Sequence, residues 1–328
     1  MRRRHFLLGA AGIVLAVPSR AVAAPPAAPD LVADPAGAER DFVRWLSVHA
    51  PRRAVQQAAG QAVDGDTAAF LSSGYPAALS QAARDRADDL EYANRMAAEH
   101  PAADFPWVNA AARRAANGTD EELAEFGGTG YAAALAQDNA HVPYDDGASL
   151  VSSSDWDYVD SIRFVDPGSV AVERAGAVRT DADVAEFLRH GWPSAARIDV
   201  DAFRGRYVAD ELAQWQQANY QIRIAVAADV DPYAALQAWD VVRRVASRQP
   251  SAWAERERYA RGRADDWLRL AYTASDSDSP LWATLAVDAW ALQERWTKEV
   301  PGAIRQADWW RQLDQYAQAA IEELIHGW

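Results

Sequence analysis

The chain has 328 residues, half of them hydrophobic and 24% charged, with a formal net charge of −14. That length and apolar content suit one large helical domain or two modest ones, and the acidity, with no basic cluster interleaved with aromatics, argues against nucleic-acid binding. Cysteine is absent, which excludes disulfides, thiolate metal sites, iron–sulfur clusters and a cysteine nucleophile.

Residues 1–23, MRRRHFLLGAAGIVLAVPSRAVA, follow the plan of a secretory signal: a basic start, an apolar run from Phe6 to Val17, and Ala21-Val22-Ala23 as the cleavage site. The apolar run is short for a bilayer span. Arg3-Arg4-His5-Phe6-Leu7 resembles the twin-arginine export motif; an ordinary Sec signal with a basic start is the alternative. Cleavage after Ala23 removes four of the 33 basic residues and leaves 29 against 47 acids, a net −18. Residues 24–37 are rich in Pro and Ala and read as a flexible leader. No later stretch is long and apolar enough for a transmembrane helix. The expected location is therefore the cell envelope or the medium.

Residues 38–205 carry a motif written three times: DGDTAAFLSSGYPAAL, GTDEELAEFGGTGYAAAL and RTDADVAEFLRHGWPSAA. Aligned on Gly74, Gly130 and Gly191, the copies place Phe70, Phe126 and Phe187 four residues earlier and Asp64, Asp120 and Asp181 ten earlier. Tyr75, Tyr131 and Trp192 follow at once. Thr119 with Glu122, and more weakly Thr180 with Asp183, form capping boxes, and the aspartates favour the positive end of a helix. The glycine predicts a left-handed helix stop, with Phe and the following aromatic paired across a Schellman cap. Pro76 and Pro193 then fall in the first turn of the next helix. Each copy thus predicts a tight corner between two helices, and the series predicts degenerate helical-hairpin repeats.

Between the second and third copies, residues 140–169 are rich in Asp, Ser and Gly and predict a long loop with a short strand at Ser161–Val165. Residues 206–328 return to helical periodicity. Leu212, Trp215, Ile222 and Val226 share a face; so do Trp282, Leu285, Ala289, Leu292 and Trp296, and likewise Trp310, Leu313, Ala317, Ala320 and Leu324. Breaks at Asp231-Pro232, Gln249-Pro250, SDSDSP and Pro301-Gly302 predict about five helices in an antiparallel bundle. The fold class is all-α.

The pattern Thr-Asp-x-x-Val-x-x-Phe-Leu-x-x-Gly-Trp, clean at Thr180 to Trp192, resembles the ALF repeats (alanine-, leucine- and phenylalanine-rich) of secreted actinobacterial proteins over residues 52–205. The first copy departs with Val63 for threonine and the second with Gly127 for leucine. The resemblance implies short helical repeats and supplies no catalytic residue.

The remaining clusters are weighed singly. Fourteen tryptophans at helical spacing favour a core between alanine-rich helices over a sugar-binding groove, although adjacent Trp309 and Trp310 cannot both face one core stripe. Asp145, Asp146, Asp155, Asp157 and Asp160 match no EF-hand spacing and read as a solvated acidic loop. Arg86–Asp89 and Arg263–Asp266 both read Arg-Ala-Asp-Asp, but adjacent acids on a helix point about 100° apart. His49, His100, His141, His190 and His326 are scattered, and His190 reads as a charged imidazole at a helix C-terminus. FGGTGY lacks the lysine of a phosphate loop, and no G-x-S-x-G occurs. No cofactor or metal site is expected. The sequence therefore predicts an exported interaction scaffold with a protein partner. An extracellular enzyme on polysaccharide and a non-catalytic binder of cell-wall glycan are the alternatives.

Overall fold

The computed structural model describes residues 28–227 and 230–326, so the expected export signal, with Arg3, Arg4, Ala21 and Ala23, lies outside the described residues. Within them the chain is helical throughout and contains no strand. The first helices are α1 (Asp30–Ala33), α2 (Pro35–His49) and α3 (Arg53–Val63). The leader is therefore structured from residue 30: Leu31 is completely buried in the main core, and the Asp34 side chain caps α2 by accepting from the Gly37 N–H.

The repeated motif is a helix that continues, and the predicted stop is corrected in all three copies. Helix α4 (Thr67–Ala69) runs through a π-helical turn, Phe70–Gly74, into α5 (Tyr75–Glu99). After α6 (Pro106–Ala116), helix α7 (Asp120–Glu125) passes through Phe126–Gly130 into α8 (Tyr131–Asn139). The third copy recurs after α9 (Ser153–Val165) and α10 (Ser169–Ala177), where α11 (Asp181–Glu186) passes through Phe187–Gly191 into α12 (Trp192–Ala225). The glycines have φ of −66°, −63° and −63°, so none is left-handed. The N–H of Tyr75, Tyr131 and Trp192 donates instead to the carbonyl five residues back, on Phe70, Phe126 and Phe187. Residues five apart lie about 140° apart around an α-helix and cannot touch. The wider turn brings them over one another, with ring centroids 6.2, 6.1 and 6.2 Å apart. A Cβ on Gly74 or Gly191 would meet the Phe ring at 3.0 or 3.3 Å, so glycine there supplies room for the ring. The capping boxes of Thr119 and Thr180 are as expected, but Asp64 ends α3, and in the first copy it is Asp66 that caps.

Two further corrections concern the later chain. A third capping box, Ser152 with Asp155, starts α9 inside the expected loop, so the strand at Ser161–Val165 is a helix and the loop proper ends at residue 152. Residue 206 falls in the middle of α12, and Pro301 lies inside α15 (Pro280–His326). Proline removes one ladder bond, but buried Trp296, Ala303 and Ala307 on either side hold that helix to its neighbours. With α13 (Pro232–Ala246) and α14 (Gln249–Ser275), the C-terminal half has four long helices, α14 packing along α15.

One large core runs from Leu31 through the first and third copies to Ala317, and Trp192, Trp215, Trp239, Trp253, Trp267, Trp282, Trp296 and Trp310 are buried in it. The N-terminal helices and the bundle are thus one body. The second copy stands apart as a small lobe, the end of α5 with α6–α8, around its own cluster of Ala93, Met96, Leu123 and Phe126. Exposed glycines in mid-helix give a stability prediction. Gly60 and Gly262 have nothing within 4 Å of an added Cβ. Alanine at either should stabilise by about 0.5–1 kcal/mol in denaturant unfolding, whereas Gly74→Ala, facing Phe70, should not.

Candidate functional site

A cleft of about 430 Å³ opens where the small lobe meets the body. One wall is a single face of α12: Ile198, Asp201, Ala202, Gly205 and Ala209 recur at helical spacing. Val55 of α3 and Leu79 of α5 add apolar surface, and Tyr75, the aromatic of the first repeat copy, lines it too. The lobe contributes Arg86, Thr119 and Asp120.

The charges are distributed unequally. Asp120, at the start of α7, accepts from Arg52 Nη1 on one oxygen and Arg86 Nη1 on the other, both at 2.6 Å. Among the described residues Asp201 has no side-chain hydrogen bond or ion pair, and its nearest charges act only at longer range. Burial pushes its carboxyl up to about 6; Arg295 and Arg204 pull it down, while Glu121 and Asp120 push it further up. Burial also raises the Tyr75 hydroxyl. The cleft therefore presents one half-buried carboxyl that changes charge near pH 6, beside an acid with both oxygens occupied.

This perturbation carries a sign. The folded carboxyl titrates near 6 against about 3.9 unfolded. The folded state keeps the proton longer, so stability falls as pH rises from about 4 to about 6 and is level above. Asp201→Asn removes that fall. Against the wild type it should gain about 1–2 kcal/mol across the window, read by urea unfolding at pH 4 and pH 7.

Several other buried polar groups are engaged by the fold, although Asp199 Oδ2 and Arg263 Nε are buried without a hydrogen-bond partner. Glu211 holds two indoles and an amide, and Glu299 holds Arg204 and Tyr207. Asp155 accepts from Trp282 Nε1 at 2.7 Å and from Ser152; against the upward push of burial, these bonds hold its carboxyl low. It thus leaves the acidic cluster, of which Asp145 and Asp146 accept from Gly147 and Ala148 N–H, Asp160 pairs with Arg163 and Asp157 is exposed. Among the described residues no three acids or histidines gather as a metal-binding group. The two Arg-Ala-Asp-Asp stretches diverge, since Arg86 lines the cleft and Arg263 is buried against Asp166 at 3.4 Å. His190 sits in a continuous helix, and burial together with Arg114 pushes it down to about 4, so it is neutral; the expected charged imidazole is corrected.

Of the repeat signature, Tyr75 and Asp120 reach the cleft, while Phe70, Phe126, Phe187 and Trp192 are core residues. Asp201 escaped the sequence reading. Its signal is a single acid on a helix face otherwise made of Ile198, Ala202, Gly205 and Ala209. The exposed pair Trp290 and Tyr272 meets edge-on at 81° and forms no flat platform. Trp310 is fully buried and Trp309 only partly, so the adjacent pair divides between core and edge. No described helix is long and apolar enough to cross a membrane. Compared with protein-family models, curated proteins and solved structures, the chain matches none.

Proposed function

We propose that the protein is an exported helical interaction protein that engages a partner at the cleft along α12. The observation that carries this reading is Asp201, a half-buried carboxyl without a partner of its own, set in an apolar-walled cleft. A carboxyl perturbed by burial and set in a cleft is a candidate recognition or catalytic group. Catalysis on polysaccharide is the second reading, favoured by the same titration near pH 6. It is weaker because Asp120 has both oxygens bound by arginines, which leaves no free second carboxylate for a hydrolytic pair. Glycan binding through tryptophans is weaker still, since eight indoles are buried in the core and exposed Trp290 meets Tyr272 edge-on. Export rests on the N-terminal signal and on the likeness of the repeats to the ALF family.

The test is capture from wall fraction and culture supernatant on immobilised mature chain, beside the Ala202→Trp variant. Ala202 is exposed, so the bulky ring fills the cleft without touching the core. A protein retained by the wild type and lost by the variant supports the reading. Equal retention by both places the binding surface elsewhere and overturns it. Turnover of a wall polysaccharide, lost in Asp201→Asn, would favour the enzyme.

A further inference from the structure

The lobe is fastened to the body by charge. None of α6, α7 and α8 makes an extended helix–helix contact with α9–α15, and the lobe's apolar cluster is separate from the main core. Three consecutive acids at the start of α7 instead each grip an arginine from a different part of the body. Asp120 takes Arg52 ahead of α3 at 2.6 Å, Glu121 takes Arg295 of α15 at 3.2 Å, and Glu122 takes Arg197 of α12 at 2.9 Å. Ser194 adds a hydroxyl on Glu122 at 2.8 Å. Behind them, Arg114 reaches Glu186 with two bonds of 2.7 and 2.6 Å. The cleft has lobe residues on one side and α12 on the other, and α5 spans from the body into the lobe.

We infer that the lobe is a hinged flap over the cleft, held shut by the Asp120-Glu121-Glu122 grip and released when those ion pairs are screened or exchanged. This deepens the binding reading above, since it supplies the way a partner enters the same cleft. Half-exposed ion pairs weaken steeply with salt while apolar cores do not, so the flap and the body respond differently.

The chain has no cysteine, so Gln137→Cys on α8 with Thr297→Cys on α15 gives two unique labelling points, both exposed. Spin-label distances are read on the full mature chain at about 0.02 M and about 1 M salt. One short distance at low salt and a second, longer population at high salt are expected. Arg295→Gln, which touches neither core nor cap, should raise the open fraction about two- to fivefold at low salt. Glu122→Gln keeps the capping box while losing Arg197, and should do the same. A single distance, unmoved by salt and by both variants, overturns the flap. No partner is present in this measurement, so that result leaves the binding reading to its own capture test.

Discussion

Glu211→Ala should destabilise the protein by about 3–5 kcal/mol in equilibrium unfolding. The carboxylate is completely buried and accepts from Trp253 Nε1 at 2.9 Å, Trp310 Nε1 at 2.9 Å and Gln306 Nε2 at 2.7 Å. These donors come from α14 and α15, whereas Glu211 stands on α12, so one residue ties three long helices. Truncation leaves two buried indole N–H groups without acceptors, which accounts for most of the loss. Glu211→Gln keeps a carbonyl acceptor and should lose only about 1–2 kcal/mol. Burial raises the Glu211 carboxyl despite those three bonds. The folded state then holds its proton above the unfolded value, so this group weakens the fold as pH rises from about 4.3. The gap between wild type and Glu211→Gln should accordingly narrow from pH 4 to pH 7. A constant gap would mean that the Glu211 carboxyl titrates alike in the folded and unfolded states.

The second large effect is expected at Glu299→Ala, about 3–4 kcal/mol. Glu299 accepts from Arg204 Nε at 2.8 Å and Nη2 at 2.5 Å, and from the Tyr207 hydroxyl at 2.8 Å. A carboxylate only accepts, so the single Tyr207 proton goes to Glu299, and His49 must donate its Nδ1–H to Tyr207 at 3.1 Å. Burial, abetted by Arg204 and Arg305, holds His49 below the usual histidine range, which keeps that neutral tautomer. The chain of bonds runs from α2 through α12 to α15 and joins the N-terminal helices to the bundle. Removing Glu299 strands an arginine whose side chain is only 18% exposed. Arg204→Met in the same chain should recover part of the loss, because the unpaired charge goes with it. Full additivity of the two changes would show that the pair is not coupled.

Much of this architecture is legible in the residues. The all-α class follows from periodicity, and the tryptophan stripes at Trp282–Trp296 and at Trp310 are core, as their spacing implies. The capping boxes at Thr119 and Thr180 are where a polar residue followed three later by an acid places them. The glycine motif reads as a stop because glycine after a short helix ordinarily ends it, whereas here the helix continues. The discriminating signal was present: an aromatic pair at i and i+5 cannot meet on an α-helix, and Phe-x-x-x-Gly followed by Tyr or Trp writes that pair three times. The acidic loop was misread for a related reason, since Ser152 and Asp155 look like loop residues until they are seen as a cap. The cleft was less accessible. Its acids and arginines come from α3, α5, α7 and α12, and only tertiary packing joins them. The repeat signature located Tyr75 and Asp120 for their roles in helix geometry, without any hint that they share a cavity with Asp201.

The proposed binding mode seats a partner along α12 beneath the lobe. Hydrogen exchange of the mature chain, alone and saturated with the protein captured in the pull-down, tests it directly. Slowed exchange is expected in residues 50–55, 75–79 and 198–209, with no change around Tyr272 and Trp290. Protection confined to the Tyr272–Trp290 surface, with the cleft segments unchanged, would contradict it.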